Sequence, residues 1–93
     1  MKELEEEAIR ELIKFYTSYI VTGIDESLKK QAIKIESKYL SASTLLSDVV
    51  YGAVGNLVYF YVDGIPHGKP PTKEEAKEIL EKLKKREKEL EKS

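Results

Sequence analysis

Apolar positions recur at helical spacing over most of this chain. Leu4, Ala8, Ile9, Leu12, Ile13, Phe15, Tyr16, Tyr19 and Ile20 form a wide stripe with steps of three and four, which predicts a helix over 2–22. Glu3, Glu5, Glu6 and Glu7 lie at its positive end and favour the macrodipole. Gly23 is the expected left-handed C′ residue, with Ile24 as the apolar contact of a Schellman stop. A second helix, 25–40, starts with Asp25 as N-cap and carries Leu28, Ala32, Ile35 and Tyr39 on one face.

Ser41-Ala42-Ser43-Thr44 is the expected joint, because serine and threonine compete for backbone hydrogen bonds and also cap new helices. With Ser43 as N-cap, a third helix covers 43–62. The stripe Tyr39, Ala42, Leu46, Val49, Ala53 nevertheless crosses the joint unbroken, so one continuous helix over 25–62 is the variant. The last helix, 72–92, opens on the capping box Thr72–Glu75, after a loop with Gly68, Pro70 and Pro71. Glu78–Lys82 and Glu81–Lys85 are favourable i,i+4 pairs. Past Leu83 only Leu90 is apolar, so the last two turns are expected to project or fray.

Residues 49–62 carry no charge and one amide, Asn56. So neutral a run belongs at the centre of a fold or at an interface. It is shorter than the roughly 20 apolar residues of a membrane-spanning helix. As a helix it ends at Gly64-Ile65, echoing the Gly23-Ile24 stop. As strands, Val49–Val54 and Leu57–Val62 flank Gly55-Asn56, a hairpin signal. The repeated stop and the unbroken stripe favour helix. The expected fold is therefore a single all-α domain over 1–93, an up-down four-helix bundle, or three helices if 25–62 is continuous. The alternative is a mostly helical α+β fold with a hairpin at 49–62 or 57–69.

Composition narrows function mainly by exclusion. Sixteen basic and seventeen acidic residues give a net charge of −1, with no global pull toward nucleic acid or anionic lipid. Without cysteine there is no disulfide, thiolate chemistry or Cys-based zinc site. One histidine cannot complete a zinc site either, so no metal or cofactor is expected. The acidic N-terminus has no apolar signal segment, which makes the cytoplasm the expected location. The charges are nearly all Lys and Glu, with single Asn and Gln residues. This thermostable composition fits hyperthermophile proteins and idealised designed helical proteins alike.

No catalytic constellation stands out. His67 would need a partner carboxylate, with Asp63 nearest in sequence. Asp48 reads as a capping or solvent-facing acid. Gly52 and Gly55 each cost roughly 0.5–1 kcal/mol inside a helix; close helix packing, or room for a bound molecule, would offset that. Tyr51, Asn56, Tyr59, Tyr61, Tyr19 and Ser47 are the candidate pocket or interface residues, since Tyr and Ser suit adaptable contacts. A winged-helix nucleic-acid binder would use Ser43–Val54 as its recognition helix and 57–69 as its wing, but that helix has no Lys or Arg.

Residues 39–80 resemble the HEPN-type helical bundles of archaea and bacteria, including the archaeal PaREP1 group. The similar features are the Tyr-Leu-Ser-Ala-Ser opening, the small-residue segment Tyr51-Gly52-Ala53-Val54, the Gly64-Ile65-Pro66 loop and a final helix. HEPN ribonucleases carry an Arg-x(4–6)-His motif, and no arginine precedes His67 at that spacing. The resemblance thus implies a compact α-helical bundle that dimerises, without the nuclease. The expected role is a non-enzymatic interaction or self-assembly module, working as a homodimer with Val58, Tyr59 or Tyr61 at the contact. A small-molecule-binding bundle is the alternative.

Overall fold

A computed structural model describes residues 2–92. Helix α1 spans Lys2–Thr22, α2 Glu26–Tyr39, α3 Asp48–Gly55 and α4 Lys73–Lys92, with 3₁₀ turns at Leu40–Leu45 and Asn56–Phe60. No strand occurs among the described residues, so the hairpin alternative falls and the fold is an all-α bundle.

Local chemistry sets most of the boundaries. Gly23 ends α1 at φ 75°, and its N–H donates to Tyr19 O at 2.8 Å. This is the left-handed motif with a single 5→1 bond rather than the expected Schellman form. Ile24 remains 41% exposed, because the chain turns at once into the extended N-cap Asp25. The Asp25 carboxylate accepts from Leu28 N–H at 2.7 Å. At the start of α4 the capping box closes both ways. Thr72 N–H donates to Glu75 at 2.8 Å, and Glu75 N–H donates to Thr72 Oγ1 at 3.2 Å.

The neutral run departs from the sequence expectation. The chain kinks at Ala42 (φ −100°, ψ 24°), so 25–62 is not one helix. Helix α3 begins five residues later than expected, at Asp48 rather than residue 43, with Ser47 as its extended N-cap residue. The Ser43 side chain, the expected cap, lies outside the described ones. After Gly55 the chain tightens to 3₁₀ geometry, and Gly64 (φ 78°) sits in a turn beyond it. Only the first of the two Gly-Ile stops therefore ends an α-helix.

Contacts between elements set the chain directions. Glu5 meets Arg86 and Tyr19 meets Pro71, so α1 and α4 are antiparallel. Lys38 and Tyr39, at the end of α2, reach Glu7 and Glu11 toward the start of α1, while the short turn over 23–25 joins the opposite ends, so α2 is antiparallel to α1. Tyr16 OH donates to Ala53 O at 2.8 Å, and Ser47 lies beside Glu5, so α3 runs with α1. The helices alternate up and down.

The expected stripes form the core. Ala8, Ile9, Leu12, Phe15, Tyr16 and Tyr19 are buried from α1, and Leu28, Ala32, Ile35 and Tyr39 from α2. Phe60 inserts from the second 3₁₀ turn. Its ring meets Phe15 at 4.9 Å, Tyr19 at 4.8 Å and Tyr16 at 6.2 Å, all edge-to-face. Such pairs contribute about 0.5–1.5 kcal/mol each beyond area burial.

The end of α4 does not project. Leu90 is 7% exposed, and Arg86 grips Glu5 through Nε at 2.8 Å and Nη2 at 3.3 Å. The expected i,i+4 pairs on α4 are not formed; Glu74–Lys77 and Arg86–Glu89 pair at i,i+3 instead. Glu5 itself is 5% exposed. Burial pushes its carboxyl up. The Arg86 hydrogen bonds and charge outweigh that, together with the Ser47 hydroxyl and backbone, and hold it below the usual carboxylate range.

Glu5→Gln should therefore cost about 1–3 kcal/mol at neutral pH, because Arg86 loses its buried carboxylate partner on α1 and keeps only the exposed Glu89. The folded carboxyl titrates below its unfolded value of about 4.3. Its stabilisation is thus complete above that pH and is lost as pH falls through the folded pKa. Urea denaturation across an acid pH series should show a shallower loss of stability in Glu5→Gln than in the parent chain.

Candidate functional site

The tyrosines divide by what their hydroxyls do. Tyr16 donates to Ala53 O, Tyr19 to Pro71 O at 2.5 Å, Tyr39 to Glu11 and Tyr61 to Glu36. Each of the four joins segments far apart in sequence. Burial pushes the Tyr16, Tyr19 and Tyr39 phenols up, with the Glu11 carboxylate adding to the effect at Tyr39. Burial likewise raises the Glu36 carboxyl that accepts from Tyr61. These phenols hold their protons more tightly than free ones, which suits struts better than acid–base groups. Tyr51 and Tyr59 remain, and neither hydroxyl has a partner among the described residues.

The candidate set is accordingly dispersed. Tyr19 is in the core and Tyr61 is tied to α2 through Glu36. The Ser47 hydroxyl is buried beside Glu5 without a well-formed hydrogen bond, and Tyr51 is 43% exposed on the outer side of α3. Only Asn56 and Tyr59 come together. They line an open cleft of about 360 Å³ between the 66–71 loop and α4. A second cleft of about 300 Å³ continues along the α3–α4 seam, sharing Asn56, Ile79 and Lys82 with the first.

The wall of the first cleft is built by the loop. Tyr59 follows the buried Leu57 and precedes the buried Phe60, so its side chain is directed away from the core. The ring packs on Gly68, where an added Cβ would fall 2.0 Å from Tyr59 Cε1. His67 takes a left-handed φ of 63°, unusual outside glycine, and lines the same cleft. The opposite wall is α4, with Glu75, Glu78, Ile79 and Lys82. Glu75 is committed to Thr72, whose N–H and hydroxyl hold its carboxyl below the usual range. Glu78 and Lys82, read from the sequence as a favourable i,i+4 pair, make no ion pair among the described residues. Their part in a cleft depends on where α3 packs, which no local pattern encodes.

The two glycines of α3 do not serve close packing. A Cβ added at Gly52 or Gly55 would meet nothing within 4 Å, and Gly52 is exposed. On α3, Val50, Ala53 and Val54 face inward, while Asp48, Tyr51 and Gly52 face out. Asp48 is a solvent-facing acid in the first turn.

Other chemistry is sparse. Among the described residues no three His, Cys, Asp or Glu side chains gather as metal ligands, and no helix is long and apolar enough to cross a membrane. Of the α2 lysines Lys29, Lys30, Lys34 and Lys38, two are neutralised: Lys29 pairs with Glu26, and Lys38 with Glu7 and Glu11. Residues 57–69 form a 3₁₀ turn and a loop, not a wing. The chain matches no family model, and neither a curated protein nor a solved structure is found to be similar to it.

Gly68→Ala should destabilise the fold by about 1–3 kcal/mol, since its Cβ and the Tyr59 ring cannot share the space. In a Tyr59→Ala background the same substitution should cost little. Equal costs in the two backgrounds, measured by urea denaturation, would show that the ring is not the obstacle.

Proposed function

We propose that this protein is a non-enzymatic interaction module that self-associates through the outer face of α3. The observation that carries this reading is the room left at Gly52 and Gly55. Each glycine disfavours helix by roughly 0.5–1 kcal/mol relative to alanine. No group within the chain occupies the space they leave. A second α3, crossing on a two-fold axis, would bring backbone against backbone there and offset the cost.

The neighbouring residues suit such a contact. Tyr51 is large, amphipathic and free to lie across a partner, and Val49 is half-buried at the edge of the same face. Asp48 would fall at the rim, where a charge stays solvated. The contact we propose is therefore on α3 rather than on Val58, Tyr59 and Tyr61. Tyr61 is held by Glu36, and Tyr59 packs on the loop. The resemblance to dimerising HEPN-type bundles adds the same expectation.

Light scattering behind size exclusion at low micromolar concentration should give the dimer mass. Gly52→Leu should shift it to monomer while the helical circular dichroism is retained, because the site has room for a side chain in the isolated fold. Gly52→Ala should raise monomer stability by about 0.5–1 kcal/mol. A monomer mass that persists on concentrating the parent chain would refute self-association.

A further inference from the structure

The cleft between the 66–71 loop and α4 gathers polar groups that the fold leaves unused. Lys82 and Glu78 stand one turn apart on α4, about 6 Å between Cβ atoms by helix geometry, and pair with nothing among the described residues. Elsewhere on α4, Lys77 closes onto Glu74 and Arg86 onto Glu5 and Glu89, while Glu81 and Lys85, likewise without an ion pair among the described residues, do not line this cleft. The Asn56 amide, at the junction of the two clefts, offers a donor and an acceptor with no partner among the described residues. The Tyr59 hydroxyl is free as well. Ile79 and Pro70 add apolar surface between these groups. The volume, about 360 Å³, falls at the lower end of the roughly 300–1,000 Å³ range of small-molecule sites.

Lys82, the Glu78 carboxylate and a free amide around apolar surface, with Lys69 on the loop side acting on the Thr72-bound Glu75, complement a ligand that carries both charges itself. We propose that this cleft binds a small zwitterion with an apolar body, of amino-acid or dipeptide size. Its carboxylate bonds Lys82 and the Asn56 NH₂, its ammonium bonds Glu78, and its side chain lies on Ile79 and Pro70. Charge-assisted hydrogen bonds at both ends orient the ligand, and the apolar contact selects among zwitterions. Both charged groups of the site belong to α4, and the site borders the proposed contact face through the second cleft, where Asp48, Val49 and Gly52 meet Asn56, Ile79 and Lys82.

A ¹⁵N-labelled sample of the full chain can be titrated with L-leucine and, separately, with L-leucylglycine. Isovalerate and isoamylamine serve as controls that carry one charge each. At least one zwitterion should shift the Asn56 side-chain amide and the Ile79 backbone signals at millimolar concentration or below. Binding of leucine would identify a free amino acid as the ligand; binding of the dipeptide alone would identify the wider charge spacing. Lys82→Met and Glu78→Gln should each weaken binding roughly tenfold, the loss of one charge-assisted hydrogen bond. Both positions are exposed, so unchanged thermal midpoints will confirm that the variants are folded. Any of three results would overturn the proposal: no perturbation by either zwitterion, equal binding of a single-charge control, or affinity indifferent to both substitutions.

Discussion

The arrangement depends on where Phe60 sits. Its ring enters the gap among Phe15, Tyr16 and Tyr19 and meets each edge-on, so the chain leaving α3 is drawn against α1. A strand continuing from Leu57 would carry this aromatic group out of the core. The tight 3₁₀ turn keeps both Leu57 and Phe60 buried, three residues apart on one side. Tyr59, on the other side, is thereby left to wall the cleft, and the following loop returns across it. The Tyr19 hydroxyl holds that loop by its bond to Pro71 O, immediately before the capping box of α4.

The opposite end of the bundle is closed by ions rather than rings. Glu5, Arg86 and Ser47 bring together the first turn of α1, the later part of α4 and the N-cap of α3. A buried carboxylate is tolerable only with partners of this kind, because desolvation alone would force it neutral. The hydroxyls of Tyr16, Tyr19, Tyr39 and Tyr61 act as cross-links, each bonded to an oxygen of a segment remote in sequence. The interior is thus filled by rings and aliphatic side chains. The polar groups available for binding lie along the α3–α4 seam and on the outer side of α3.

That distribution has a consequence for function. The described residues offer two kinds of vacancy: bare backbone at Gly52 and Gly55, and unpaired charges beside Asn56. Both are local departures from what would stabilise the isolated chain most. Alanine would favour the helix at the glycines, and a closed Glu78–Lys82 pair would add a few tenths of a kcal/mol. The proposed self-association and ligand would compensate these two departures.

The sequence by itself determined α1, α2 and α4, the Asp25 and Thr72 caps, the left-handed Gly23 and the buried faces of the first two helices. Those features rest on periodicity and on bonds spanning three or four residues, which are contained in a short window of sequence. The joint at 41–44 was legible for the same reason. Tertiary structure decided the rest. A run apolar on every side, such as 49–62, has no period to show which face is covered or where the helix stops, so the short α3 and its 3₁₀ sequel follow from the place open to Phe60. Glu5, one of four early glutamates, gained its burial from an arginine 81 positions away. Among the tyrosines, side chains alike in sequence became struts, core or cleft wall according to the acceptor within reach. Glu78 and Lys82 became a cleft rather than an i,i+4 pair because α3 and the proline loop close over that side of α4. Each of these outcomes depends on distances between segments remote in sequence, which only the packed chain sets.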